Sequence, residues 1–190
     1  AASRPPVAGQ PVNYRHAYHA GNFGDVLKHA VVALILARLL VKDRPFWVLD
    51  THAGAGLYDL TSEAAAKTGE HRHGVARLLA AHGLPDGLQD YVTVIRRLNV
   101  GIGGGVRWYP GSPSLVRALL RPGDRLVANE LHPEDAPALQ ARFQGDAQVR
   151  VQQLDGYMAW KAFVPPTERR GLVLVDPPFE VAGEFDRLAT

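Results

Sequence analysis

The run Gly171-Leu172-Val173-Leu174-Val175 stops abruptly at Asp176-Pro177-Pro178-Phe179-Glu180, and no other stretch of the chain restricts its fold so tightly. An apolar run without polar alternation reads as a strand buried on both faces, the pattern of parallel α/β sheets. Two prolines then forbid continuation, because neither donates to a ladder and the first drives Asp176 out of helical dihedrals. Asp176 and Phe179 are therefore expected on a stiff turn at the carboxyl end of a central strand, where open α/β sheets bind their ligands.

Such a turn answers a chemical problem. An exocyclic aromatic amine such as N6 of adenine is a poor nucleophile, since its lone pair is delocalised into the ring. Two acceptors holding both N–H bonds tilt the nitrogen toward sp³ and aim that lone pair. The Asp176 side chain and the Pro177 carbonyl supply two acceptors at fixed spacing, and the Phe179 ring can stack the base. Asp-Pro-Pro-Phe resembles the Asp/Asn/Ser-Pro-Pro-aromatic motif of amino-methyltransferases, whose methyl donor is S-adenosyl-L-methionine. By itself the tetrapeptide is short, and a strand can end in Asp-Pro-Pro for structural reasons alone.

At 190 residues and 46% hydrophobic content, the chain is expected to form one domain with a sizeable core. It has no cysteine, so no disulfide framework exists, which fits a reducing, cytoplasmic setting. The longest apolar run, Ala30 to Val41, contains Arg38 and is too short to span a bilayer. No signal-peptide pattern opens the chain, and no membrane association is expected. A net charge of +2 and a pI near 9.1 permit a polyanionic partner without requiring one.

Residues 1–12, rich in proline and small residues, read as a flexible arm. The aromatic and basic segment Asn13 to Asp25 follows. His16 and His19 there read as hydrogen-bonded histidines, because no Cys or carboxylate cluster completes a metal site, and no metal is expected. Asp25 is the expected N-cap of a helix running to about Val41, apolar nearly all round and hence mostly buried. Lys28 and His29 near its start then face a ligand. Phe46 to Asp50 reads as the first strand, running into Thr51-His52-Ala53-Gly54-Ala55-Gly56, a glycine turn of the kind that lets backbone approach a ligand. The third glycine of the dinucleotide fingerprint is missing. A site for a cofactor without a pyrophosphate does not need it.

Residues 57–107 exceed a simple crossover and read as a helical insertion subdomain, with helices at 63–67, 74–82 and 88–99. The insertion carries Lys67, His71, Arg72, His73, Arg77, Arg96, Arg97 and Arg107. That charge fits both a solvated surface and a clamp on a nucleic-acid backbone. The α/β pattern resumes after the turn Tyr109-Pro110-Gly111-Ser112-Pro113, with a helix at 114–120, a strand at 125–130, a helix at 134–143 and a strand at 149–154. Glu130 and Asp155 fall at the tips of these strands. An acid at the second strand tip commonly bonds ribose hydroxyls, and Asp155 can accept from an adenine amino group. Three acids, Glu130, Asp155 and Asp176, thus lie at the tips of successive strands.

Taken together, Tyr14-Arg15-His16, His19-Ala20-Gly21-Asn22, Asp25-Val26-Leu27-Lys28-His29, Leu49 to Gly56, Tyr109 to Pro113, Glu130-Leu131-His132-Pro133 and Asp176-Pro177-Pro178 resemble the RlmJ family over residues 13–187. The resemblance implies an α/β, Rossmann-like class I methyltransferase fold, with 13–56 and 108–190 as the cofactor-binding core. It implies a monomeric, S-adenosyl-L-methionine-dependent enzyme that methylates N6 of one adenine in large-subunit ribosomal RNA, protein-free or early in assembly. It implies cofactor contacts from Lys28, His29, His52, Ser112, Glu130, Asp155 and Gly156. Catalysis is implied at Asp176 with Pro177 and Phe179, and substrate contact at Tyr14.

Two departures stand out. Phe179 occupies the position where family members usually carry Tyr, keeping the stacking face and dropping the hydroxyl. Family members also continue well past the Asp-Pro-Pro turn with strands that close the sheet, whereas this chain ends eleven residues past Phe179. A strand order of 3-2-1-4 then leaves the strand before Asp176 as an apolar edge, and part of the family fold is expected to be missing. Other acceptors, DNA adenine or a glutamine amide, stay open at this point, as does a non-catalytic RNA-binding module.

Overall fold

The computed structural model describes residues 15–179 and 183–189, so the arm expected at 1–12 and the substrate contact expected at Tyr14 lie outside the described residues. Helix α1 (Phe23–Leu40) begins earlier than its sequence indicates. Asn22 is the cap, accepting the Asp25 N–H at 2.9 Å. The Asp25 carboxylate, expected to be the cap, instead turns back to the Gly21 N–H at 2.9 Å and to His16 Nε2 at 2.8 Å. The carbonyls at and beyond the other end of α1 are satisfied by two guanidiniums: Arg121 donates to Leu40, Lys42 and Arg44, and Arg170 to Leu39 and Arg44. Asp25, His29, Val32, Ala33 and Leu36 face inward. The expectation of a mostly buried helix is corrected on its other side, where Phe23, Leu27, Val31, Leu34 and Ile35 form an exposed apolar stripe. A ridge at this spacing lies on one helix face, and this one points away from the sheet.

After α1 come β1 (Trp47–Asp50), β2 (Leu57–Asp59), α2 (Glu63–Thr68), α3 (Val75–Ala80), α4 (Gln89–Leu98), β3 (Trp108–Pro110) and α5 (Ser112–Leu119). The chain continues through β4 (Arg125–Asn129), α6 (Asp135–Arg142), β5 (Val149–Gln152), α7 (Gly156–Phe163), β6 (Gly171–Leu174) and α8 (Glu184–Ala189). Four strands form one parallel sheet in the order β5-β4-β1-β6, a Rossmann-like arrangement. Asp50 aligns with Ala128 on one side and Leu174 on the other, so the strand tips finish level. The order reverses at β1, because the chain builds outward through β4 and β5 and then crosses back to add β6 on the opposite side. A crevice opens at such a switch point.

Strand alternation sends Val48, Leu126 and Ala128 to one face, where Val32 and Leu36 of α1, Val116 of α5 and Leu139 of α6 cover them. Trp47, Leu49 and Val127 point the other way and pack with Phe163 of α7 and Val173. β1 is buried along its whole length, but β6 is not. The sequence reads β6 as a central strand buried on both faces. Its burial is corrected, while its place at the edge is the one that the 3-2-1-4 order leaves it: β6 is half-buried, because among the described residues only β1 pairs with it.

Residues 57–107 contain the three expected helices and also a strand that their composition hides. β2 pairs antiparallel with β3, Tyr58 opposite Tyr109. Asn99 secures the return, its Oδ1 accepting from Arg107 N–H and Trp108 N–H, both at 2.8 Å. The expected turn at 109–113 is therefore the end of β3 followed directly by α5, with Pro113 in the first helical turn, where a missing N–H costs nothing. α7 and α8 have no counterpart in the sequence reading. Tyr58, Val75, Tyr91, Ile95, Tyr109 and Leu115 join the insertion to α1 in a second core.

Two buried groups make stability depend on pH in opposite senses. His29 is buried, with Nδ1 2.8 Å from Tyr109 Oη, which lies 2.8 Å from Tyr91 Oη. Burial pushes its pKa down from 6.5 to about 3. Between those values the unfolded chain binds a proton that the folded chain refuses, so stability is lost on acidification. Asp50 is buried at the end of β1, and burial raises its pKa from 3.8 to about 6 against the Ser112 hydroxyl that donates to it at 2.6 Å. In that window the folded chain binds the extra proton, so the Asp50 contribution rises on acidification, by about 3 kcal/mol at roughly 1.4 kcal/mol per unit. Asp50→Asn removes this offset. Urea unfolding from pH 7 to pH 4 is expected to show a steeper loss of stability in Asp50→Asn than in the wild type, and parallel curves would contradict it.

Candidate active site

A cavity of about 320 Å³ opens at the strand tips, beside the switch point between β1 and β6. Ten of the eleven residues singled out from sequence border it: Lys28 and His29 from α1, His52 after β1, Ser112 at the start of α5, Glu130 after β4, Asp155 and Gly156 at the start of α7, and Asp176, Pro177 and Phe179 after β6. Tyr14 lies outside the described residues.

The glycine turn after β1 forms one wall. Gly54 has φ +61°, a left-handed conformation that glycine adopts without strain. Its N–H donates to Glu130 Oε2 at 2.7 Å, while Glu130 Oε1 accepts the His132 N–H at 2.7 Å. Glu130 is thus fixed by two backbone amides, and each oxygen retains a lone pair for a ligand. Asp155 caps α7, its Oδ1 accepting from Tyr157 and Met158 amides at 3.0 and 3.2 Å. Gly156 leaves room for the His52 ring, since an added Cβ would lie 2.6 Å from it.

The histidines in the wall are held in defined states. The Thr51 hydroxyl donates to the Leu174 carbonyl at 3.0 Å and lies 2.8 Å from His52 Nδ1. Its one proton being committed, it accepts from His52 Nδ1–H, which leaves Nε2 as the acceptor. Burial also lowers the His52 pKa. His29 Nε2 is buried and has no hydrogen-bond partner among the described residues, an orphan that calls for one.

The acceptor side is organised by charge. Lys28 Nζ donates to Asp176 Oδ2 at 2.6 Å and lies 3.0 Å from Asp25 Oδ1. Burial alone would weaken the protonated amine, but Asp25 and Asp176 more than reverse that and hold it firmly charged. Burial likewise opposes the charged form of Asp25, and His16, His29 and Lys28 overcome it, holding Asp25 far below the usual carboxylate range. Lys28, expected as a cofactor contact, is the partner that fixes Asp176. Lys28 engages Asp176 Oδ2, and among the described residues Oδ1 has no hydrogen-bond partner. Phe179 has φ +54°, a conformation costing a non-glycine residue on the order of 1–3 kcal/mol and met mostly at functional turns.

Further side chains at the cavity were not foreseen as site residues, among them His16, Tyr58, Tyr157, Glu184 and Arg187. His16 was read as merely hydrogen-bonded, which it is, through Asp25. Tyr58 accepts the Ala55 N–H at 3.2 Å and braces the glycine turn. The Tyr157 hydroxyl donates to Glu184 at 2.9 Å, and burial followed by Glu184 pushes its pKa up to about 12. Arg187 lies 4.0 Å over the Tyr157 ring. No local pattern marks Tyr58, Tyr157, Glu184 or Arg187, because each meets a partner far along the chain. No group of three or more His, Cys, Asp or Glu side chains suited to a metal ion occurs among the described residues, and no helix among them is long and apolar enough to cross a membrane.

Residues 43–190 match the family described as Ribosomal RNA large subunit methyltransferase D, RlmJ. A protein named Ribosomal RNA large subunit methyltransferase J from Escherichia coli is 48% identical over 179 residues, covering 94% of this chain and 63% of that protein. Its namesake from Haemophilus influenzae is 46% identical over 175 residues, covering 92% of this chain and 62% of that protein. The crystal structure of a Legionella pneumophila protein matches with a TM-score of 0.81 and 36% identity, covering 90% of this chain and 62% of that one. The chain thus spans a little under two thirds of the length of these relatives. With three quarters of its residues matched by the family and nearly half of them identical to two of its named proteins, the chain belongs to the RlmJ family.

Proposed function

We propose that this chain holds the cofactor site and the acceptor turn of an S-adenosyl-L-methionine-dependent methyltransferase that modifies the exocyclic N6 of an adenine in large-subunit ribosomal RNA. The observation that carries this reading is the convergence of the Asp176-Pro177-Pro178-Phe179 turn and the acids Glu130 and Asp155 on one cavity. The similar proteins named as ribosomal RNA methyltransferases support it.

The donor set fits the cofactor. Five carboxylates and two permanent cations border the cavity, a balance that favours a cationic ligand. Two histidines of the cavity wall, His29 and His52, have pKa values lowered by burial, stay neutral and offer ring nitrogens to polar groups. Glu130, held by two amides, is placed to accept from vicinal hydroxyls, and Asp155 from an amino group. When bound, the cofactor supplies an electrophilic methyl group on a sulfonium.

The protein's part in the reaction is positioning. The free Asp176 oxygen and the Pro177 carbonyl accept the two N–H bonds of the base, Lys28 keeps the Asp176 carboxylate from rotating, and the Phe179 ring stacks the base plane. The amine sheds its proton after transfer, so Asp176 need not act as a strong base. A paired adenine hides its amine in the duplex and has to leave the stack first. The insertion offers exposed Arg96 and Arg97 to the phosphates. Arg107 is committed to Asp59 at 2.9 Å.

Three outcomes test the reading. S-adenosyl-L-methionine at a hundredfold over its Kd should stabilise the folded chain by roughly 2.7 kcal/mol, and Glu130→Ala should remove most of that shift; a folded chain showing no shift contradicts the cofactor site. With labelled cofactor, transfer is expected to protein-free ribosomal RNA rather than to DNA or ribosomal protein, and Asp176→Ala should abolish it while most cofactor affinity survives. Wild-type turnover in that variant would leave Asp176 as a mere turn residue. RNA affinity should fall with the logarithm of salt, and replacing Arg96 and Arg97 by Ala should flatten the slope by about one unit or less per lost contact. An unchanged slope moves the RNA surface elsewhere.

A further inference from the structure

Phe185 on α8 is 74% exposed, so burial does not account for an aromatic residue there. Its ring packs on Phe179, centroids 4.9 Å apart and planes 30° apart. That separation and tilt lie within the range of favourable aromatic pairs. Phe179 borders the cavity and Phe185 does not. Phe185 therefore supports the Phe179 ring from outside the cavity.

The support is itself anchored. α8 is rooted by Glu184, which is buried and accepts from the Tyr157 hydroxyl at 2.9 Å. Arg187 adds a second root, its guanidinium 4.0 Å from the Tyr157 ring centroid and its NH2 3.5 Å from Asp155 Oδ2. Tyr157 in turn meets His52 edge-on, at 6.2 Å between centroids. One short helix thus ties the aromatic platform after β6 to the start of α7 on the far side of the cavity. Phe179 gains from this, since the residue is 46% exposed and its backbone is in the left-handed region.

We propose that Phe185 is a positioning residue for the acceptor base, holding the plane of Phe179 so that the incoming ring stacks at a fixed height above Asp176 and Pro177. This rests on the proposed transfer to an adenine. It concerns Phe185 acting through Phe179, not contact with the base.

Steady-state transfer to large-subunit RNA by wild type, Phe185→Ala, Phe185→Tyr, Phe179→Ala and the double alanine variant tests the proposal. Phe185→Ala should lower kcat/KM for RNA by roughly three- to tenfold, the scale of one aromatic pair, with cofactor affinity and melting midpoint unchanged. Phe185→Tyr should restore wild-type values. In the Phe179→Ala background, Phe185→Ala should add nothing, because its effect passes through the missing ring. Wild-type kinetics in Phe185→Ala, independent losses in the double variant, or a loss accompanied by an equal fall in cofactor affinity would each overturn it. A wild-type protein that binds cofactor and transfers nothing to RNA overturns the methyltransferase reading itself, and is recognised before any variant is compared.

Discussion

Lys28 reaches from the first helix to Asp176, 148 residues along the chain, and donates to it at 2.6 Å. The contact exists only if α1 lies on the sheet with its first turn level with the strand tips and β6 stands beside β1. Register supplies the second condition, because Leu174 pairs with Asp50 and brings the turn after β6 alongside Thr51 and His52. Thr51 completes that junction with its backbone N–H and its hydroxyl both on the Leu174 carbonyl. Asp25, one turn before Lys28, gives the lysine a second carboxylate and is itself hydrogen-bonded to His16. Asp176 and Asp25 thus each have a cation or a donor, so neither of these two carboxylates is left in low dielectric without a partner.

The same geometry explains where the molecule is thinly covered. One face of the sheet has three helices on it, while the other relies on α7 and the ring of Phe163. Among the described residues β6 has one neighbour, and the stripe from Phe23 to Ile35 on α1 is exposed. Exposed apolar ridges and raw strand edges are liabilities in an isolated domain. The relatives are about half as long again as the part matched here.

Much of this was legible in the sequence, and what was not shares one cause. The four core strands and the cavity acids follow from local signals, apolar runs that end in an acid, a glycine turn and two prolines, while the strand order comes with the family resemblance. Those signals need no knowledge of distant residues. The capping of α1 was misplaced because Asn22 and Asp25 are both good cap residues, and only the fold sends Asp25 to Gly21 and His16. β2 was missed because three residues carry no period, and Leu57-Tyr58-Asp59 becomes a strand only when Tyr109 arrives opposite. The burial of β6 was overestimated because an apolar run reports which neighbours a strand is suited to, not which are present. Tyr58, Tyr157, Glu184 and Arg187 gain their places through partners far along the chain, a relation that no spacing rule encodes.

Charge is divided between the cavity and the insertion in a way that a single net value of +2 conceals. The cavity wall is rich in carboxylates, whereas Arg96 and Arg97 stand exposed at the end of α4 in the insertion. For the proposed reaction this division has a physical use. A polyanion is drawn to the basic surface and repelled from the acidic mouth, so a phosphate backbone gains nothing by entering. A neutral base loses no such energy, and inside it meets an aromatic face and two acceptors for its amine. A cationic methyl donor is attracted by the same carboxylates that turn the backbone away. Selection of a single extruded base over the strand that carries it then follows from electrostatics before any contact to the base edge is made.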